Sequence, residues 1–163
     1  MTVIRPATAT DLPFLWDMLY EAIFVPPGQA APPRSVLQDP RVDHYLRDFP
    51  SRPGDAGLIA DTPQGPAGAA WHRRLPAHDP GYGFVRADVP EVTIALAPAF
   101  RGQGLGTKLL ERLLADAAAA GHPGLSLSVQ VRNRARHLYE RLGFIRVAGL
   151  SPDDSAWTMW HPL

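Results

Sequence analysis

No cysteine occurs in this chain of 163 residues, which excludes disulfides, a thiol nucleophile and thiolate metal sites. Net charge is missing as well. Sixteen basic and 16 acidic residues cancel, so no global field draws in nucleic acid or an anionic membrane surface. Any phosphate has to be held by local groups. No apolar run is long enough to span a bilayer, and Met1 to Arg5 lacks the long apolar segment of a secretory signal. The expectation is therefore a cytoplasmic protein with no membrane partner, no nucleic-acid partner and no metal. Repeats, low-complexity segments and interdomain linkers are absent too. With 45% hydrophobic residues, 1–163 suits a single domain with a sizeable core.

What the chain does have is glycine concentrated at one place. Arg101-Gly102-Gln103-Gly104-Leu105-Gly106 lies between a strand-like segment, Glu91 to Ala97, and a helix-like one, Thr107 to Leu114. Glycines let the backbone turn tightly and approach a ligand without Cβ interference. The helix that follows begins with unpaired N–H groups and the positive end of its dipole, which makes the junction a phosphate cradle. Two phosphate loops fail on spacing. A dinucleotide fold wants G-x-G-x-x-G, whereas position 107 is Thr. A P-loop wants its lysine directly after the last glycine, whereas Lys108 comes one place late, after Thr107.

The remaining elements read in order. Thr2 to Arg5 is strand-like. Thr10 or Asp11 can cap a helix with apolar positions Leu12, Leu15, Trp16, Leu19 and Ile23. The proline-rich stretch from Pro26 to Pro33 makes a loop. Asp39-Pro40 opens a second helix through Val42, Tyr45, Leu46 and Phe49. Leu58 to Asp61 and Ala67 to Arg74 form a hairpin around Pro63 to Gly65, and a loop runs from Pro76 to Tyr82. After the helix that ends near Gly121, Leu125 to Val131 alternates as a half-buried strand. Asn133 then caps a short helix with an apolar stripe at Leu138 and Leu142 and a stop at Gly143. Phe144, Ile145 and Val147 begin a strand, and a final one lies within Ser155 to His161.

The hexamer at 101–106 resembles the [Q/R]-x-x-G-x-[G/A] signature of the GNAT superfamily of N-acetyltransferases, matching every fixed position. About thirty residues on, Asn133, Ala135, Leu138, Tyr139, Glu140, Leu142, Gly143 and Phe144 resemble that family's second signature, roughly N-x-A-x-x-L-Y-E-x-L-G-F. The resemblance covers about 89–147. It implies an α/β (α+β) fold in the order βααβββαβαββ, with a mixed, mostly antiparallel sheet and helices on both faces. The sheet is expected to splay beside the strand at 91–97, with acetyl-CoA in the gap.

The same resemblance implies direct acetyl transfer from acetyl-CoA to a primary amine. Backbone N–H groups of Gly102, Gln103, Gly104 and Gly106, with Thr107, are expected to hold the pyrophosphate. Leu96 and Ala97 would offer main-chain partners to the pantetheine arm. Arg101 and Lys108 either neutralise phosphate or are solvated. Asn133 suits a cofactor contact as well as its helix cap, and Arg136 suits either the 3′-phosphate or open surface.

The attacking amine must be neutral, and a lysine-like amine titrates near ~10.4, so a proton acceptor is needed. Glu91 heads the strand that borders the expected site, on the face of Thr93 and Ala95. His72, with an unperturbed pKa near ~6.5, is the alternative base. Tyr139 occupies the position of the family's general acid for the departing thiolate. The acceptor wall is expected to draw on Phe24, Trp71, His72 and Tyr82, an apolar and aromatic set that argues against a polycationic acceptor. A small-molecule amine and a protein amine both fit, on a monomer or a homodimer. A catalytically silent acetyl-CoA-binding module of the same fold is the other reading.

Overall fold

The computed structural model describes residues 1–150 and 155–163. The expected order of elements is found: β1 (Val3–Pro6), α1 (Leu12–Ala22), α2 (Pro40–Asp43), β2 (Ala56–Thr62), β3 (Gly65–Arg73), β4 (Glu91–Leu96), α3 (Leu105–Ala119), β5 (Gly124–Gln130), α4 (Ala135–Arg141), β6 (Ile145–Arg146) and β7 (Ala156–Pro162). The strands form one sheet in the order β1-β2-β3-β4-β5-β7-β6. Every neighbouring pair is antiparallel except β4 with β5. No helix among the described residues is long and apolar enough to cross a membrane.

Strand alternation divides the core into two clusters, one on each face. On β3 and β4 the pairs Ala69–Ala95 and Trp71–Thr93 face one way, while Ala70–Ile94 and His72–Val92 face the other. The first face packs on Leu15, Met18 and Leu19 of α1 and on Leu46 and Phe49. The second packs on Leu109, Leu110, Leu113 and Ala117 of α3 and on Tyr139 of α4. The four α3 positions recur at helical spacing, so one stripe is buried while Glu111 and Arg112 stay exposed. Each buried leucine contributes about 1.5–3 kcal/mol.

The second helix is shorter than its sequence suggests. Asp39 caps it as expected, its side chain accepting from the Arg41 N–H at 2.9 Å. The helix then gives way to turns after Asp43. Asp48 has φ 65°, and the proline at position 50 disfavours helical backbone at Phe49. The carbonyls left open by this early stop are taken up by Arg73. Its guanidinium donates to the carbonyls of His44 (3.0 Å) and Arg47, and it grips buried Asp55 with two bonds of 3.0 and 2.7 Å. A buried bidentate pair of this kind fixes geometry, and losing one partner costs about 3–5 kcal/mol. Here it pins the segment carrying His44 and Tyr45 against β3.

The cap of α1 also differs in detail. The Asp11 carboxylate does not cap α1; it takes the Thr8 N–H at 2.8 Å and the Arg5 guanidinium at 2.8 and 2.9 Å. Those contacts hold its pKa low, at about 2, chiefly through Arg5.

Candidate active site

β4 and β5 share a single register pair, Glu91 with Ser126, secured by the Ser126 N–H donating to the Pro90 carbonyl at 2.9 Å. Beyond it the two strands diverge, so the β4 edge from Val92 onward opens toward β5. The expected splay is present, with its apex at Glu91.

At the far end of this gap lies the glycine loop. Gly102 and Gly104 have φ of 76° and 81°, a region that side-chain-bearing residues enter only with strain. The first N–H of α3 with a backbone acceptor belongs to Lys108, which donates to Gly104 at 3.3 Å. The N–H groups from 102 to 107 have no acceptor among the described residues. They form a row of donors at the positive end of a 15-residue helix. Gly106 faces Leu138 of α4 and Leu96 of β4, so both sequence signatures meet at this turn. A phosphate-bearing group fits this cradle.

Arg101 turns away from the cradle, pairing with Glu21 of α1 at 2.9 Å and donating through Nε to the Leu96 carbonyl at 3.2 Å. Ala97 uses its N–H on the Ala67 carbonyl (2.8 Å), and its own carbonyl receives the Phe100 N–H (2.9 Å). Of the two expected pantetheine partners, Ala97 therefore keeps no free donor. Gln103 and Lys108 are exposed. Asn133 stands one residue outside its expected cap position. Its Oδ1 accepts from the Ala135 N–H at 2.9 Å at the start of α4. Arg136 stacks on Trp157, 4.6 Å from the ring centroid, and pairs with Glu140 at 3.1 Å.

Glu91 sits at the apex, 3% exposed. Its Oε1 accepts from the Gly83 N–H at 2.6 Å and from the Tyr45 hydroxyl at 3.5 Å. Its Oε2 is buried and makes no hydrogen bond; neither does the buried hydroxyl of its register mate, Ser126. Burial is the dominant influence and pushes the Glu91 carboxyl up to about 7, while the N–H groups of Gly83 and Gly81 and the Tyr45 hydroxyl pull the other way. The loop before β4 wraps tightly here. A Cβ on Gly81 would collide with the Glu91 carboxylate, and one on Gly83 with the backbone of Leu127 and Ser128. The glycines at 81 and 83 are what permit this close cover. Tyr45, expected only as a helix position, is the site residue that sequence patterning missed.

Tyr139 lies beneath the opposite face, buried, its ring 6.0 Å from that of Phe144. Burial raises its hydroxyl to about 12. The remaining expected residues separate. Trp71 is fully buried, and its indole N–H donates to the Tyr45 carbonyl at 3.0 Å. It is a core residue. His72, its neighbour on β3, points to the face opposite Glu91, where its ring lies 5.1 Å from that of His122. Burial, then His122, lowers its pKa to about 4. Strand alternation thus removes His72 from the face that Glu91 occupies. Tyr82 is 54% exposed on the loop over Glu91, and Phe24 is half-buried just after α1.

A sheet opened at one parallel pair, with a glycine cradle at the gap's far end, is the arrangement that the resemblance of the two sequence signatures implies. The chain belongs to the acetyltransferase (GNAT) family, whose family model matches residues 16–144. N-alpha-acetyltransferase 40 of Saccharomyces cerevisiae is 41% identical over 76 residues, covering 42% of this chain and 26% of that protein. The ribosomal protein bS18-alanine N-acetyltransferase of Haemophilus influenzae is 36% identical over 70 residues, covering 41% of this chain and 48% of that protein. The chain thus spans less than half the length of these curated relatives. The structure of yncA from Salmonella typhimurium, solved with its cofactor acetyl-CoA, shares the fold. Its TM-score is 0.69 at 21% identity, over 99% of this chain and 94% of that one.

Proposed function

We propose that this chain is an N-acetyltransferase that moves acetyl from acetyl-CoA directly to a primary amine, with Glu91 as the base. The observation that carries this reading is the buried Glu91 carboxylate at the apex of the β4–β5 gap, whose other end holds the unpaired N–H row of 102–107. That row, with Thr107 and Lys108, would hold the pyrophosphate, and the open β4 edge would line the pantetheine arm. The donor supplies the acetyl thioester. Glu91, titrating near 7, takes the proton that an ammonium acceptor must lose before it can attack. Tyr139 stays protonated at neutral pH and is the hydroxyl that the family resemblance sets against the leaving thiolate. Burial, which raises it to about 12, makes it a weaker acid than a free phenol, so its part is to hydrogen-bond the developing thiolate.

Both curated relatives carry names that point to α-amino acceptors, and the apolar character of Phe24 and Tyr82 suits an acceptor without several positive charges. An α-amine is the acceptor class these features favour. The first test is a thermal-shift titration with acetyl-CoA beside CoA, ATP and NAD. A ligand at 100 times its Kd stabilises by about 2.7 kcal/mol, a rise of several degrees for a domain of this size. A rise with acetyl-CoA and CoA alone is expected. No rise with either, in folded protein, would remove the donor assignment. A panel of amino acids, N-terminal peptides and simple amines then reads turnover. Binding without turnover on the whole panel would favour the silent module.

A further inference from the structure

The loop that covers Glu91 is fastened from below by one hydroxyl. Tyr45 lies in the turn after α2, part of the cluster under the Glu91 face. Its oxygen accepts the Tyr82 N–H at 2.8 Å and donates toward Glu91 Oε1 at 3.5 Å. One residue on, the Gly83 N–H reaches the same Oε1 at 2.6 Å. A hydroxyl has one proton to donate and lone pairs to accept with, and both capacities are in use here.

Oε1 is held by Gly83 and Tyr45, while Oε2 is buried against Gly81. Resting on the base reading above, we propose that Tyr45 is a positioning residue of the acetyl transfer: its hydroxyl binds Oε1 and fixes the orientation of the carboxylate, and in the same contact it seats the 81–83 loop over it.

The surroundings keep this device in a fixed protonation state. Burial, then the Glu91 charge, pushes the Tyr45 phenol well above its ordinary range, so it remains a donor. From β3 the register partner of Glu91 is Arg73, whose guanidinium is engaged by Asp55 and two carbonyls. From β5 comes the uncharged Ser126. The loop contributes backbone N–H groups and Tyr82. Tyr45 itself is held by two independent ties. Its carbonyl takes the Trp71 indole, and the neighbouring His44 Nδ1 meets Asp79 of the same loop at 3.0 Å. Removing the hydroxyl therefore leaves the chain path anchored.

The test compares wild type, Tyr45→Phe and protein carrying 3-fluorotyrosine at position 45, using side-chain carboxyl carbon NMR to follow the Glu91 titration without any acceptor. Loss of the donor is expected to move the Glu91 midpoint upward by about half to one pH unit. The fluorinated phenol, a stronger donor, should move it downward. The acidic limb of kcat/KM, read with the acceptor found in the amine panel, should follow the same two directions. A Glu91 titration unchanged in both folded variants would overturn the proposal, even if activity fell. Glu91→Gln separates the two readings. If that variant keeps wild-type turnover, the base assignment fails and Tyr45 loses its catalytic role with it. If it is inactive while Tyr45→Phe leaves the Glu91 midpoint and the limb unmoved, only the Tyr45 proposal fails.

Discussion

Glu91 and His72 stand on neighbouring strands, 3% and 1% exposed, on opposite faces of one sheet. Burial acts on both in the same sense, against charge. For the carboxyl this means a pKa raised to about 7; for the imidazole it means one lowered to about 4. The result is an asymmetry of use. Glu91 is brought into the range where it can hold and release a proton at neutral pH, at the apex of the gap. His72 is held neutral between β3 and the end of α3, where nothing asks it to titrate. Equal burial made one candidate base and one core residue, and the face each occupies decided which.

The comparison can be broken at Glu91 first. Glu91→Gln should lower kcat/KM by about 10²–10⁴, the range for a lost general base. A loss under tenfold would end the assignment. Next in size, Tyr139→Phe should slow turnover at saturating acetyl-CoA by about 10². An unchanged rate there would leave Tyr139 as a core aromatic beside Phe144.

Stability against pH sharpens the contrast, because the two groups have opposite slopes. An unfolded glutamate releases its proton near 4.5, and folded Glu91 near 7. Over that window the folded state holds more protons, so stability falls as pH rises. Glu91→Gln should therefore be more stable than wild type at pH 8, by up to about 3 kcal/mol, while being far less active. For His72 the folded value is the lower one, about 4 against 6.5 unfolded. The unfolded state binds the proton more readily, so stability is full above that window and is lost as pH falls through it. His72→Phe should flatten this acid-side loss, with His122 across the ring contact as the remaining contributor, and change turnover by less than about twofold. Urea midpoints from pH 4 to 8 would check both slopes, and parallel curves for the two variants would contradict the contrast.

Much of this was legible because it depends on local patterning. The glycine run, the cap at Asp39 and the leucine stripe of α3 are short-range signals. They gave the element order and the cradle. Alternation from Glu91 to Ala97 also gave the face of Glu91 correctly. What failed was long-range. Trp71 and His72 are successive residues on β3, so one of them had to point away from the site whichever way the strand lay, and Trp71, on the Glu91 side, lies under Tyr45 rather than at the surface. The early end of α2 depended on a backbone inversion at Asp48 and on Arg73 reaching across from another strand. The grip on Glu91 joins residues 45, 83 and 91, which no periodicity connects.

The single pair between β4 and β5 has a consequence for how the molecule comes apart. Strands β1 to β4 with α1 form one densely bonded block, and β5 to β7 another. On the sheet they are joined by the Glu91–Ser126 pair, with α3 and α4 packed across one face. Local opening free energies follow such blocks. A ligand laid along the β4 edge would act as the missing seam between them. Hydrogen exchange should then report two protection tiers in the free protein that merge into a single cooperative unit once the donor is bound.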